Sequence, residues 1–337
     1  MGFLQALGVL WSLRLYHNKP SHLQKPLNAA LGPKKGASCL IVYLDQNKWI
    51  ELAKIFHGKD KSERAKSIQK EIEASLECGY IYPLSEVHYM EFARIRNNER
   101  RSRLGRAMWE YSKGKTLVSG REIVEREIEI GLHGLIPEIK PRKLELIGEG
   151  IAHAFGEKVK SILPSWFNSI VEEAMLTGFD ELNMEPISHI SNKHRMKFKS
   201  HLESLQTNKK ELKKSKWDDW LHAITMVDIL EPLNAVLEKN NLNPMSLTSY
   251  LAQNGKSMVS KMPTRVLDIH LHHQVLKNSQ YKPKVSDLED WAGLGIAACY
   301  CDIVVCERHF ANMVKRDGFK THARVETDLL NIFNEVN

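Results

Sequence analysis

The chain is expected to fold as an α/β protein built on a parallel sheet, with a mainly helical domain inserted into it. Three observations predict this class. Leu40–Leu44 and Ile303–Val305 are short, continuous, β-rich apolar runs, the pattern of strands buried on both faces. Each run closes on an acid, Asp45 or Cys306–Glu307, before a stretch with helical spacing. Between the two blocks, residues 112–280 carry long helical periodicities and little strand signal. Residues 39–111 and 281–337 together make about 130 residues, the size of one compact α/β domain.

Residues 1–38 open the chain with the apolar run MGFLQALGVLWSLRLYH, which is too short to span a bilayer and lacks the basic lead-in of a secretory signal. It reads as a packing or interfacial helix, followed from Pro20 to Gly36 by a linker. After the first strand, Trp49, Leu52, Ala53 and Phe56 recur at helical spacing, so the chain turns into an amphipathic helix at Asp45. A polar helix follows from Ser62 to Glu77, Gly79 ends it, and Tyr80–Leu84 reads as a second strand. Ser85 is placed to cap the helix that carries Glu86 and Glu91.

In the late block, Ser286 and Glu289 match a capping box, starting a helix with Asp287 in its first turn and Asp290 one turn on. Leu294, Ala297 and Ala298 continue its apolar face. Asp302–Cys306 then forms a buried strand with Glu307 at its carboxyl end, and a strand near Thr321–Val325 and a helix over Leu329–Val336 complete the layer. Within the insertion, REIVEREIEIGL, the tract Ser165–Leu176, and Trp217, Trp220, Leu221 and Ile224 each present a helical face.

A hydrophobic content of 42% suffices for a sizeable core. Lys plus Arg exceed Asp plus Glu by 48 to 41, a net charge of +7 that favours anionic partners, with nucleic acid ahead of a membrane surface. Five cysteines, with no C-x-x-C pair, make neither a disulfide framework nor a zinc motif, which fits a reducing cytoplasm.

Acids at the carboxyl ends of parallel strands gather in one crevice, where grouped carboxylates need a divalent cation to offset their repulsion. The candidates are Asp45, Glu91, Asp290, Asp302 and Glu307, with Asp287 in reserve. Mg²⁺ and Mn²⁺ take such hard oxygen ligands and can activate water against a phosphodiester. Some of these acids have a plain structural role to compete with: Asp45 as a helix cap, Glu86 and Asp287 as dipole partners, Asp302 as a turn residue. Glu91 and Asp290 instead sit beyond the first turn beside apolar faces, where a buried acid needs a partner.

These residues resemble a PIN-like domain, the nuclease fold of toxin-type ribonucleases and of RNA-decay and flap-type nucleases. In that family an Asp ends the first strand, a Glu lies about six residues past a Ser or Thr, an Asp opens a late helix, and an acid ends the next strand. Here Asp45 fits the first place, Glu91 follows Ser85 by six, Asp290 fits the third, and Glu307 follows Asp290 by seventeen. The resemblance departs from the family in having Glu307 where Asp is usual, Cys306 beside it, and a large helical insertion. It implies an Mg²⁺- or Mn²⁺-dependent endoribonuclease, of toxin or defence type. Asp45, Glu91, Asp290 and Glu307 would then be catalytic and, with Asp302, ligate metal. The insertion would serve a homo-oligomer or an inhibitor protein. The alternative is a catalytically silent PIN-like module that binds RNA or a protein.

Downstream of Glu91, Arg94, Arg96, Arg100, Arg101, Arg103 and Arg106 form a basic tract suited to RNA phosphates. The histidines of DIHLHHQ, His270, His272 and His273, have no acid or Cys partner at ligand spacing and are set aside as a metal site. A covalent phosphotransferase using Asp45 ranks last, because the second Asp it requires two residues on is Asn47.

Overall fold

The computed structural model describes residues 39–157, 165–178, 185–187, 193–210, 213–284 and 286–334. The helix and linker expected over residues 1–38, and Val336, lie outside them. In chain order, β1 (Val42–Leu44) leads into α1 (Gln46–Phe56), α2 (Glu63–Glu77), α3 (Glu86–Phe92) and α4 (Asn98–Ser112). Next come β2 (Lys115–Leu117), α5 (Gly120–His133), β3 (Ile147–Glu149) and α6 (Gly150–Ala154). The helices α7 (Ser165–Thr177), α8 (Lys193–Asn208), α9 (Trp217–Asp228), α10 (Leu230–Lys239), α11 (Pro244–Val259) and α12 (Pro263–Lys277) follow. The late block contains α13 (Asp287–Glu289), a π-helical turn over Asp290–Leu294, and α14 (Gly295–Tyr300). It ends with β4 (Ile303–Val305), α15 (Arg308–Lys315), β5 (Arg324–Glu326) and a 3₁₀ turn over Leu329–Phe333.

The protein is therefore mixed α/β and mostly helical, with a small parallel sheet in the order β1-β4-β5. Val42 pairs with Ile303 and Ile303 with Arg324, so two segments some 260 residues apart in sequence lie side by side. The expected second strand is reduced to two single bridges, Ile81 to Ile41 and Leu84 to Thr116. Pro83 stands between them and has no N–H to continue a ladder.

Alternation along the strands sends side chains to two cores. Tyr43, Val304 and Val325 join a cluster with Ile128, Leu205 and Leu267 of the insertion helices. Val42, Leu44, Ile303 and Val305 join Trp49, Ile68 and Phe92 on the other face. Each fully buried large apolar side chain contributes about 1.5–3 kcal/mol. The inserted helices thus share a core with the sheet, and the insertion itself contains an antiparallel pair, β2 with β3, that the sequence pattern did not reveal.

Local caps explain several boundaries. Ser62 Oγ accepts from Ala65 N at 3.2 Å and Asn97 Oδ1 from Arg100 N at 2.7 Å, starting α2 and α4. The expected capping box of Ser286 does not form: Ser286 is helical and its side chain makes no cap bond. Glu289 is instead buried and paired with Arg94 at 2.8 Å. Trp217, Trp220 and Ile224 pack on the core beside buried Leu221, as their helical spacing predicts.

Candidate active site

Asp45 follows directly on β1 and occupies the N-cap position of α1, yet its side chain makes no capping hydrogen bond. Glu307 holds the equivalent place after β4, before α15. Because β1 and β4 are parallel and in register, both acids emerge at the same edge of the sheet. Asn47 ties them together: its Nδ2 donates to Glu307 Oε1 at 2.6 Å.

Glu91 reaches this edge through a buried polar anchor under α3. The Nε2–H of His88 donates to Leu44 O at 2.7 Å, and its Nδ1 accepts from Ser85 N at 3.0 Å. Tyr43 Oη meets Ser85 Oγ at 2.9 Å, and the Tyr43 ring stacks on His88. Burial lowers the His88 pKa to about 4, so the ring is neutral and the assigned tautomer satisfies both nitrogens. This anchor fixes α3 against the end of β1, and Glu91 sits one turn beyond it.

Asp290 begins the π-helical turn. Such turns insert one residue into a helix and occur often at functional sites. Gly293 permits this one: a Cβ there would lie 2.6 Å from Tyr43 Oη and 3.3 Å from Val87 Cβ.

Asp45, Glu91, Asp290 and Glu307 all line one cavity of about 270 Å³. Burial raises the Glu91 pKa to about 8, and the charges of Asp45, Asp290 and Glu289 push the same way against Arg94. Burial raises Asp290 to about 7, reinforced by Asp45, Asp287 and Glu307. Asp45 rises to about 6, again through burial first; the Gln46 N–H opposes the shift and Glu307 adds to it. Three carboxyls are therefore pushed toward their protonated forms by burial and by one another.

Asp287 also borders the cavity, but its Oδ2 accepts from Tyr281 Oη and from Lys284 N, both at 2.7 Å, so it organises the loop before α13. Glu86 lies elsewhere and accepts from Gly120 N at 3.2 Å. Asp302, expected to complete the site, does not join it. Its Oδ2 accepts from Ile41 N at 2.7 Å at the amino end of β4. Glu307 lies five positions further along, roughly 16 Å of extended chain.

The arginines divide in the same way. Arg94 is committed to Glu289, and Arg101 is buried, donating to Ile95 O at 2.5 Å and Asn98 Oδ1 at 2.6 Å, so both are structural. Arg96, Arg100 and Arg106 are exposed, while Arg103 is partly exposed and pairs with Glu99. His270, His272 and His273 make no common site: His270 Nε2 meets Met313 O at 3.0 Å, His272 lies against His201, and His273 faces Asp218.

Gln46 was not evident from the sequence. It borders the cavity, is 8% exposed, and neither Oε1 nor Nε2 has a hydrogen-bond partner. A glutamine at the first position of a helix carries no signal of that kind. His88 was equally hidden, because its importance comes from burial and not from spacing.

The acids around the cavity supply carboxylate oxygens, the hard donors that Mg²⁺ or Mn²⁺ takes, and they share its wall with Lys284, Ser286 and His309, so the acids alone fit such an ion in kind. As they stand, no three His, Cys, Asp or Glu side chains among the described residues are grouped to hold one. Binding therefore requires the acids to draw closer, which their mutual repulsion opposes until a cation offsets it. No described helix is long and apolar enough to cross a membrane. Compared with known proteins, the chain matches no family model, no curated protein and no solved structure.

Proposed function

We propose that this cavity is the centre of a PIN-like, Mg²⁺- or Mn²⁺-dependent endoribonuclease. One observation carries the reading: four acids from β1, α3, the π-helical turn and β4 converge on one cavity, where burial and mutual charge raise the pKa values of three of them. A protein that needed these groups only for structure would gain nothing by crowding them, since unpaired buried acids are costly.

Asp45 and Asp290 would hold the ion, with Glu307 kept in place by Asn47. A bound divalent ion supplies a polarised water and offsets charge on the phosphate. Glu91, on the wall of the cavity, would orient the attacking water and, once ionised, accept its proton. Trp291, Leu294 and Phe310 form an apolar wall that limits bulk water and offers a surface for a base. RNA as the substrate follows from the family resemblance and agrees with the positive net charge.

The test is cleavage of labelled RNA with Mg²⁺ or Mn²⁺. EDTA should abolish it, and Asp45→Asn should reduce it at least about 100-fold with thermal unfolding unchanged or raised. Metal-independent cleavage would refute the proposal. A second reading, a silent RNA- or protein-binding module, is favoured by the absence of a grouped donor trio among the described residues. Calorimetry separates the two: retained RNA affinity without any divalent-ion heat supports the silent module.

A further inference from the structure

The helix that starts at the acidic cavity ends in a basic one. A pocket of about 180 Å³ at the carboxyl end of α1 is lined by Lys54, His57, Lys59, Arg100 and Arg103 over an apolar floor, with no Asp or Glu on its wall. We infer that it is a phosphate-binding subsite that grips the backbone of an RNA strand whose scissile phosphate lies in the acidic cavity, an inference that rests on the nuclease reading.

Lys54, Lys59 and Arg100 are exposed, and His57 is held in place by Arg103 O at 2.8 Å. The neighbouring acids are Glu99, which pairs with Arg103, Asp60 near Lys54, and Glu185, which lines an adjoining pocket with His57 and Arg103. Cations at a helix carboxyl end also satisfy its dipole. That accounts for Lys54, but not for Lys59 in the following loop or for Arg100 and Arg103 on another helix. The pocket is smaller than the roughly 300–1,000 Å³ typical of drug-sized ligands, which suits one anionic group and not a whole nucleotide.

Only part of the arginine tract takes part, because Arg94 and Arg101 are internally paired. The two lysines come from a part of the chain where the sequence showed no basic run. With 11 residues, α1 separates the two pockets by about 16 Å, a span of roughly five stacked nucleotides.

The test measures binding of labelled single-stranded RNA in EDTA, where cleavage is blocked, over a series of salt concentrations. The triple variant Lys54→Gln, Lys59→Gln, Arg100→Gln should bind at least about tenfold more weakly, with the salt slope reduced by about two to three. A charge-matched control, Lys210→Gln, Lys213→Gln, Lys214→Gln, should bind as the wild type does. Equal loss in both variants would show non-specific attraction and overturn the subsite, as would no loss in the first or no RNA binding by the wild type.

Inorganic tripolyphosphate distinguishes a strand from a small phosphorylated ligand. RNA affinity should rise as oligomers lengthen from two to about eight nucleotides, whereas affinity independent of length and matched by tripolyphosphate would overturn the strand assignment. The two proposals fail separately. Cleavage and binding untouched by the triple variant would remove the subsite alone. RNA binding lost in that variant, from a protein that never cleaves, would remove the nuclease and leave the subsite.

Discussion

At the scale of single residues, Asp302 and Glu307 show how the two ends of one strand divide a structural contact from a place on the cavity wall. Asp302 gives Ile41 N its acceptor at the amino end of β4, and only Glu307 faces the cavity. Asp302→Ala should therefore cost about 1 kcal/mol in urea unfolding, the worth of one partly buried hydrogen bond, and leave RNA cleavage intact. Lost cleavage at unchanged stability would contradict that assignment. Gln46 presents the opposite case, a buried amide with both polar atoms unpartnered. Gln46→Met keeps the volume and removes the unpaired groups, so unfolding should become harder by about 1–2 kcal/mol. A loss of stability would mean that the amide has a partner in solution. Asp45, Glu91, Asp290 and Glu307 were legible in the sequence because strand ends and helical turns are local patterns. Gln46 and His88 were not, since their importance depends on what surrounds them.

At the scale of elements, the π-helical turn decides where Asp290 stands. Gly293 inside it and Gly295 just after it, at the start of α14, make a matched pair. A Cβ on Gly293 would meet Tyr43 Oη at 2.6 Å, whereas one on Gly295 would meet nothing within 4 Å. Gly293→Ala should destabilise by about 1–3 kcal/mol through overpacking and depress cleavage as Asp290 shifts. Gly295→Ala, at an ordinary helical φ of −62°, should stabilise by about 0.5–1 kcal/mol. Thermal unfolding of the two variants checks both signs, and equal effects would count against the close approach of Tyr43. Element type was largely readable from periodicity. The exceptions have local causes: Pro83 breaks the expected second strand, and Glu289 abandons its capping box for the guanidinium of Arg94.

At the scale of the whole molecule, the acidic cavity couples stability to pH. Asp45, Glu91 and Asp290 have folded-state pKa values of about 6, 8 and 7, all above their ordinary values. Between about pH 4 and 8 the folded state therefore keeps protons that the unfolded chain has released. Stability should fall as pH rises through this window. A divalent ion held by these acids, as proposed, would compete with those protons, so millimolar Mg²⁺ should raise the unfolding temperature more at pH 8 than at pH 5. Thermal scans at the two pH values with and without Mg²⁺ measure this. An Mg²⁺ effect independent of pH would argue that the ion binds elsewhere.

By itself the sequence determined the coarse class of the protein, the buried strands β1 and β4, and the four acids that end up together, because burial on two faces and helical spacing leave marks in nearest neighbours. Tertiary structure alone decided that Asp302 stays out, that Arg94 and Arg101 serve the fold, and that the inserted helices share a core with the sheet. The physical reason is common to all three. Which end of a strand an acid occupies in space, which charge finds a partner, and which apolar face meets which are set by contacts between residues distant in the chain, and such contacts have no local signature.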